Sequence, residues 1–267
     1  MIKISVAIAT FNEEDNIKDC LQSVAQLADE VIVVDGSSRD KTRQIAREQG
    51  ARVIKTRPEP MFHINKNKAI KACSGDWILV LDADERVSPL LTEEIKGLVK
   101  KWQSGEAVGY WLKRKNFFLG RFLTKGGQYP DPVIRLFKKD KGWHPEVSVH
   151  EQIKIDGQVG WLKNDLLHLA SPSFTRYLTR ENRYSTLEAA NLQKAAVKIN
   201  LISFPNFLLL KPLGTFFSLY FRHRGFQDGF PGFVFAFFSG MHHFLAFVKY
   251  WECRRKNHQR SIKKDWI

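Results

Sequence analysis

Asp82 and Asp84, separated by Ala83 and followed by Glu85, come directly after the apolar run Trp77–Leu81. Two carboxylates one residue apart at the end of a buried strand can hold a hard divalent cation and meet a nucleotide. Mg²⁺ takes one or two carboxylates and completes its shell with phosphate oxygens and water. Such an ion would offset the charge that grows on a departing diphosphate. Acids also crowd ordinary solvated loops, so the pattern draws its force from the strand before it. Asp35 closes Val31–Val34 and opens Gly36-Ser37-Ser38-Arg39-Asp40; its carboxylate could accept the imide N–H of a uracil ring. Ser38 or Asp40 would suffice to cap a following helix, so capping does not require Asp35. Thr10, Phe11, Asn12 and Glu13, with Glu14, form a candidate base-binding loop after the first apolar run. Thr10 and Glu13 also stand at capping-box spacing.

These residues need elements to bring them together. Ile4–Ala9 reads as a first strand, Glu13–Ala25 as a helix with Ile17, Leu21 and Val24 on one face, and Glu30–Val34 as a second strand. Asp40–Gln49 is a helix closed by Gly50, Arg52–Lys55 a short strand, Asn67–Cys73 helical, and Trp77–Leu81 a strand apolar throughout, as burial on both faces requires. Ser88 and Pro89 start a helix that runs to about Trp102. Alternating strands and helices imply a parallel sheet with right-handed crossovers, whose ligands sit beyond the carboxyl ends of the strands. Glu13, Asp35, Asp82 and Asp84 all follow strands and should meet at one edge.

From Val108 to His168 the β-prone pieces Tyr110–Lys113, Val133–Phe137 and Val147–Ile155 are expected to complete the sheet and cover the site; Phe174–Lys198 reads as a polar amphipathic helix. From Ile199 Phe and Leu dominate, Phe230–Val248 carries no formal charge, and the chain ends basic through Arg254, Arg255, Lys256, Arg260, Lys263 and Lys264. That uncharged run nearly reaches the ~20 residues of a spanning helix, but Gly232, Ser239, Gly240 and His242-His243 interrupt it. Aromatics mixed with cations fit an interfacial helix at anionic headgroups. The net charge of +14, from 42 Lys+Arg against 28 Asp+Glu, favours anionic partners of any kind. Cys20, Cys73 and Cys253 lack zinc or disulfide spacing, which suits a reducing compartment. The start of the chain reads as a strand rather than a secretory signal, so the catalytic part is expected in the cytoplasm, peripheral on the inner face of the cytoplasmic membrane.

Ala9-Thr10-Phe11-Asn12-Glu13-Glu14, Val34-Asp35-Gly36-Ser37, Lys66-Asn67-Lys68-Ala69 and Leu79-Val80-Leu81-Asp82-Ala83-Asp84-Glu85, in this order and spacing, resemble the inverting family 2 glycosyltransferases. Tyr129-Pro130-Asp131, Ile134-Arg135-Leu136-Phe137, Val149-His150-Glu151 and Gly225-Phe226-Gln227-Asp228-Gly229 resemble the lipopolysaccharide-core β-glucosyltransferases of the WaaE/KdtX/LgtF type. The resemblance implies a GT-A (Rossmann-like) α/β fold, a mostly parallel central sheet flanked by helices, with a UDP-sugar donor and Mg²⁺ or Mn²⁺. It further implies that Thr10, Phe11, Asn12, Glu13, Asp35, Lys66, Asp82 and Ala83 bind the donor nucleotide. Asp35 would meet uracil, Asp82 the ribose or metal, and Asp84 the metal; Lys66 stands where many members carry Arg. A single Asp stands at position 35 where many have two.

Inversion needs a general base for the acceptor hydroxyl. Glu151 is the first candidate and Asp131 the rival. Arg135 is a candidate clamp for a donor or acceptor phosphate. His168, between apolar residues, is either a satisfied core histidine or an additional metal ligand; His150 could position Glu151. The expected organisation is a GT-A domain over residues 1–170, its nucleotide-sugar half 1–105 and its acceptor half 106–170, followed by a helical, basic and aromatic membrane-associating region over 171–267. The expected acceptor is a lipid-linked or lipopolysaccharide inner-core sugar, with glucose as the transferred unit. Transfer to polyprenyl phosphate or another cell-surface glycan is an alternative. A nucleotide-sugar-forming enzyme would want a Gly-rich loop, absent from Thr10–Glu14. A non-catalytic basic module for membrane or nucleic acid would not require the acids to converge, and no helix-turn-helix or zinc-finger pattern supports nucleic acid.

Overall fold

The computed structural model describes residues 2–59, 61–146, 152–171 and 173–255. Two compact units share the chain. The first takes residues 1–115 and 130–169, and the second takes 116–129 together with the chain from 170 onward.

In the first unit β1 (Ile4–Thr10), β2 (Glu30–Asp35), β3 (Arg52–Lys55) and β4 (Trp77–Asp82) run parallel in the order β3-β2-β1-β4. Helices α1 (Ile17–Val24), α2 (Thr42–Glu48) and α3 (Phe62–Ala72) connect them. These strands are apolar at consecutive positions because both faces are covered. Val6, Ile8, Trp77, Leu79 and Leu81 join Ile17, Leu21 and Val24 of α1, with Leu91 and Ile95 of α4 (Pro89–Lys101), in one core. The intervening Ala7, Ile78 and Val80 pack with Ile32, Val34, Ala69 and Ile70 in another. Side chains alternating between faces make both cores from the same strands.

The rest of the sheet is antiparallel where its pairing is described. β8 (Asp131–Lys138) pairs with β4 and with β6 (Gly109–Phe118), and β11 (Val159–Ser171) pairs with β5 (Glu85–Val87). Short strands β7 (Arg121–Phe122), β9 (Gly142–Trp143) and β10 (Lys154–Ile155) complete the set. Because β1 lies between β2 and β4, the direction of chain travel switches there. A crevice for ligands opens at such a point, beyond the carboxyl ends of the strands.

Three expectations are corrected. The first helix starts at Ile17 rather than Glu13, and the Thr10–Glu13 capping box does not form. Thr10 belongs to β1 and its hydroxyl donates to Asp35, while the Asn12, Glu13 and Glu14 amides donate to Ser38 Oγ, Thr42 Oγ1 and Asp40 Oδ2. The third helix begins at Phe62, ahead of the expected Asn67. Its inward face carries His63, Asn65, Lys66 and Asn67, so no apolar period announces it. Of the stretch 147–155, Lys154–Ile155 is a strand and residues 147–151 lie outside the described residues.

The second unit is helical. Ser173 caps α5 (Phe174–Lys194) by accepting from Arg176 N, and α5 packs on α8 (Gly229–Arg255). Between them lie α6 (Ser203–Pro205) and α7 (Lys211–Phe217), with π-helical turns over Asn206–Leu210 and Ser218–Arg222. A Cβ on Gly240 would stand 2.5 Å from the Pro212 carbonyl oxygen, so only glycine lets α8 approach α7 this closely. Asp228, fully buried, accepts from the Thr124 amide and hydroxyl and the Lys125 amide, and thereby pins the 121–125 turn to the start of α8.

Candidate active site

The loops after β1 and β2, beyond the carboxyl ends of their strands, are stitched to each other. Asn12 (φ 54°) and Ser37 (φ 70°) both adopt left-handed backbone, a conformation that is strained for Ser and commoner for Asn. The Asn12 carboxamide oxygen accepts from Arg39 N (2.8 Å), and Lys41 N donates to Glu14 Oε2 (2.9 Å). Asp35 is 0% exposed and holds these loops together. It accepts from Ser38 N (3.0 Å), the Ser38 and Thr10 hydroxyls and Arg43 Nη1 (2.8 Å). The carboxylate expected to meet a uracil ring also secures the turn that carries it. Phe11, at 46% exposure, is the large side chain that these loops present to solvent.

At the end of β4 an alternating set of charges replaces the hydrophobic core. Lys66 of α3 and Arg135 of β8 both pair with Asp82. Arg135 Nη2 also donates to Glu85 Oε1 (2.8 Å), whose other oxygen accepts from Asp82 N (3.0 Å). Arg114 of β6 reaches Glu85 (3.4 Å) and Asp131 (2.7 Å). Register explains the last pair, since β6 and β8 place Arg114 directly opposite Asp131. Burial disfavours the Asp82 carboxylate, but Arg135 and Lys66 outweigh it and hold its carboxyl well below the usual range. Burial draws the Lys66 ammonium downward against the pull of Asp82. Burial also opposes the Arg135 charge, yet Asp82 and Glu85 raise its pKa further. Three cations, Lys66, Arg114 and Arg135, therefore face three carboxylates, Asp82, Glu85 and Asp131.

Asp84 meets a histidine. β5 pairs with β11 so that His168 lies opposite Glu85, and His168 Nε2 comes within 3.4 Å of Asp84 Oδ2. Leu169 N donates to the Asp84 carbonyl (2.8 Å) and fixes the same junction. One carboxylate and one imidazole, both partly accessible, suit a divalent ion that completes its shell with phosphate oxygens and water. Asp82, occupied by Lys66 and Arg135, offers such an ion less. Among the described residues no three His, Cys, Asp or Glu side chains converge as a full protein shell.

Asp82, Asp84, Lys66, Arg135, Asp131 and His168 thus lie around one end of β4, with Ala83 buried between the two aspartates. Glu151 and His150 lie outside the described residues. Sequence reasoning missed Glu85 and Arg114 as members of the network. Glu85 carried a signal, an acid in the run after a buried strand; Arg114 carried none before its register with Asp131 was visible. Asn67, stretched between His144 and Glu146 by its side-chain amide (2.8 and 2.6 Å), was likewise unassigned.

The chain matches the family model Glycosyl transferase family 2 over residues 5–155. It is 30% identical to an uncharacterized glycosyltransferase of Rickettsia typhi over 100% of this chain and 93% of that protein. It is 29% identical to the lipopolysaccharide core biosynthesis glycosyltransferase LpsC of Rhizobium meliloti over 94% of this chain and 93% of that one. Among solved structures, S. aureus TarS 1–349 superposes with a TM-score of 0.47 at 16% identity, covering 97% of this chain and 93% of that chain. Glucosyl-3-phosphoglycerate synthase from Mycobacterium tuberculosis, in complex with Mn²⁺, UDP-glucose and glycerol 3-phosphate, superposes at 0.35 and 29% identity over 45% of this chain and 46% of that chain. A crevice of paired acids and cations beyond a parallel switch point, and a family match that spans all four parallel strands, lead to one conclusion: this chain belongs to glycosyl transferase family 2, and glycosyl transfer is its reaction.

Proposed function

We propose that this glycosyltransferase moves a hexose, glucose in the first instance, from a UDP-sugar to a lipopolysaccharide inner-core acceptor, with inversion and with a divalent metal. The observation that carries the reading is the separation of roles at the end of β4. Asp82 is bound by Lys66 and Arg135, while Asp84 faces His168. Asp84 and His168 would hold Mg²⁺ or Mn²⁺, and the ion would supply positive charge to the donor diphosphate. The three cations and three carboxylates of the network pair with one another, so an arriving diphosphate competes with Asp82 for Lys66 and Arg135. Those two cations then become phosphate ligands as well as partners of Asp82. Thr10, Phe11, Asn12 and Glu13 line the nucleotide pocket, and Asp35 keeps their loop in place. A carboxylate deprotonates the acceptor hydroxyl; Glu151 is the first choice, since Asp131 is already paired with Arg114. The relative named for lipopolysaccharide core biosynthesis supports this acceptor class.

The second unit supports a membrane-bound acceptor. The helical stretch Gly225–Arg255 is long and apolar enough to cross a membrane by length and composition. Phe230, Phe233 and Phe237 form an exposed stripe on α8, and Phe217 and Phe221 are exposed on the preceding segment with Arg222 and Arg224. Exposed phenylalanines beside exposed arginines fit the headgroup boundary of an anionic leaflet better than its interior. The reading puts the enzyme at the cytoplasmic face of the membrane, with the lipid-linked acceptor.

Calorimetric titration of the purified full chain with UDP, with and without Mn²⁺, tests the donor site. Metal-dependent binding is expected, followed by turnover of UDP-glucose with core acceptors. A folded protein that ignores UDP would remove the uridine assignment.

A further inference from the structure

We propose that His144 is a specificity-determining residue of the donor site, its imidazole taking a hydroxyl of the transferred sugar. This rests on the UDP-sugar reading above. His144 follows β9 and is 4% exposed. Its main chain is clamped from both sides by Asn67: the Asn67 Nδ2 donates to His144 O (2.8 Å), and His144 N donates to Asn67 Oδ1 (2.9 Å). Its ring stacks on His63 of α3, with centroids 4.3 Å apart and planes 12° from parallel. Main chain and ring are therefore both held, yet among the described residues neither ring nitrogen has a hydrogen-bond partner. Buried polar atoms are nearly always satisfied, and an exception in a positioned side chain marks a place where something else supplies the partner.

The neighbourhood says what that partner is. His63 and Lys66 are three residues apart on α3, hence on one face, and Lys66 pairs with Asp82. The stacked histidines therefore lie one helical turn from the lysine whose ammonium reaches the carboxylate that ends β4. Burial, reinforced by the charges of Lys66, His63 and Arg135, pushes the His144 imidazole down to about 2, so it is neutral at physiological pH. A neutral imidazole has one nitrogen that donates and one that accepts. The two nitrogens point in diverging directions, so a single group meets only one of them. A phosphate oxygen can only accept and could serve the protonated nitrogen alone, and Lys66 and Arg135 already offer it better partners; a sugar hydroxyl donates or accepts and can serve either nitrogen.

Side-chain ¹⁵N-histidine spectra of the full-length protein with Mg²⁺, titrated first with UDP and then with UDP-glucose, UDP-galactose and UDP-N-acetylglucosamine, test the assignment. UDP alone should leave the His144 ring signals in place, and at least one UDP-hexose should move them. His144→Phe keeps a ring to stack on His63 and removes both nitrogens. It should bind UDP within ~2-fold of wild type but lower kcat/KM for the UDP-hexose by ~10–100-fold, the scale of a lost hydrogen bond to a buried group. His144→Gln, which restores a donor and an acceptor, should recover part of that loss. A shift with UDP alone would assign the ring to phosphate and overturn the proposal. So would silence toward every UDP-hexose while UDP binds, or equal losses for UDP and UDP-hexose in His144→Phe. Should that variant fail to fold, the wild-type spectra decide. A wild-type protein that does not bind UDP removes the UDP-sugar reading itself and this proposal with it.

Discussion

Lys66, Glu85 and Arg135 lie inside the first unit at 4%, 0% and 5% exposure, whereas Phe230, Phe221 and Phe217 stand outside on the second at 72%, 54% and 53%. The two regions depart from ordinary burial in opposite directions. Charges are taken out of water at a cost of several kcal/mol each unless their partners are well placed. Exposed phenylalanines lower solubility unless something covers them. The first departure is compensated internally, by three cations against three carboxylates. In the second, Phe217 and Phe221 stack on each other and still leave apolar surface in solvent; the proposed function assigns that surface to a membrane.

The comparison can be broken at several points. The largest effect is expected at Asp84, the metal ligand of the proposed function. Asp84→Ala should lower turnover by at least ~10²–10³-fold, the scale of a removed electrostatic contribution, and make UDP binding indifferent to Mn²⁺. Calorimetry in which the variant keeps full metal dependence would return the metal to Asp82. Glu151→Gln should bind UDP normally and turn over at least ~10²-fold more slowly. Near-wild-type rates in a stopped assay would move the base to Asp131.

Arg135→Met tests internal compensation directly, because it leaves Asp82 and Glu85 short of a shared partner. A loss of about 3–5 kcal/mol in urea unfolding is expected, as for a broken buried ion pair. A loss under about 1 kcal/mol would mean that Lys66 and Arg114 suffice. On the other unit the combined change Phe217→Ser, Phe221→Ser, Phe230→Ser should lower partition onto phosphatidylglycerol-containing vesicles by at least ~10-fold, given about 1.5–3 kcal/mol per fully buried large apolar side chain. Stability should change by no more than about 0.5 kcal/mol per site. Unchanged sedimentation with vesicles, or a large loss of stability, would make those rings part of the protein's own packing.

The smallest effect concerns a charge far from the site. Burial pushes the Glu30 carboxyl up, but hydrogen bonds from Ser5, Ser74 and Gly75 outweigh it, so its pKa is lowered on folding. A depressed carboxyl contributes stability that is present above its unfolded pKa and is lost as pH falls through the folded value. Glu30→Gln should therefore cost about 1 kcal/mol near neutrality, and the gap from wild type should shrink in acid below the ordinary glutamate range. A gap that is constant through acid would assign the effect to packing alone.

The legible parts of this molecule are those written in consecutive residues. Ile4–Ala9 and Trp77–Leu81 announce buried strands because every position but Ser5 is apolar, and both faces prove covered. Ser88-Pro89 announces a helix start, and Ser88 Oγ accepts from Leu91 N there. The acids at 82 and 84 are visible because they end such a strand. Thr10–Glu13 read equally well as a cap, and only the observed bonds between the two loops show that their partners are Ser38, Asp40 and Thr42. Helix α3 was legible only in its second half, since its inward side is polar and leaves no hydrophobic period. Which partners each carboxylate meets was decided by tertiary structure alone. Asp82 and Asp84 are chemically alike and adjacent but for Ala83, yet β8 delivers Arg135 to the first and β11 delivers His168 to the second. Composition and local period determine which elements form, because those depend on neighbours a few residues away. The charge state and partners of a side chain depend on strand register between segments distant in the chain, and no local pattern encodes that register.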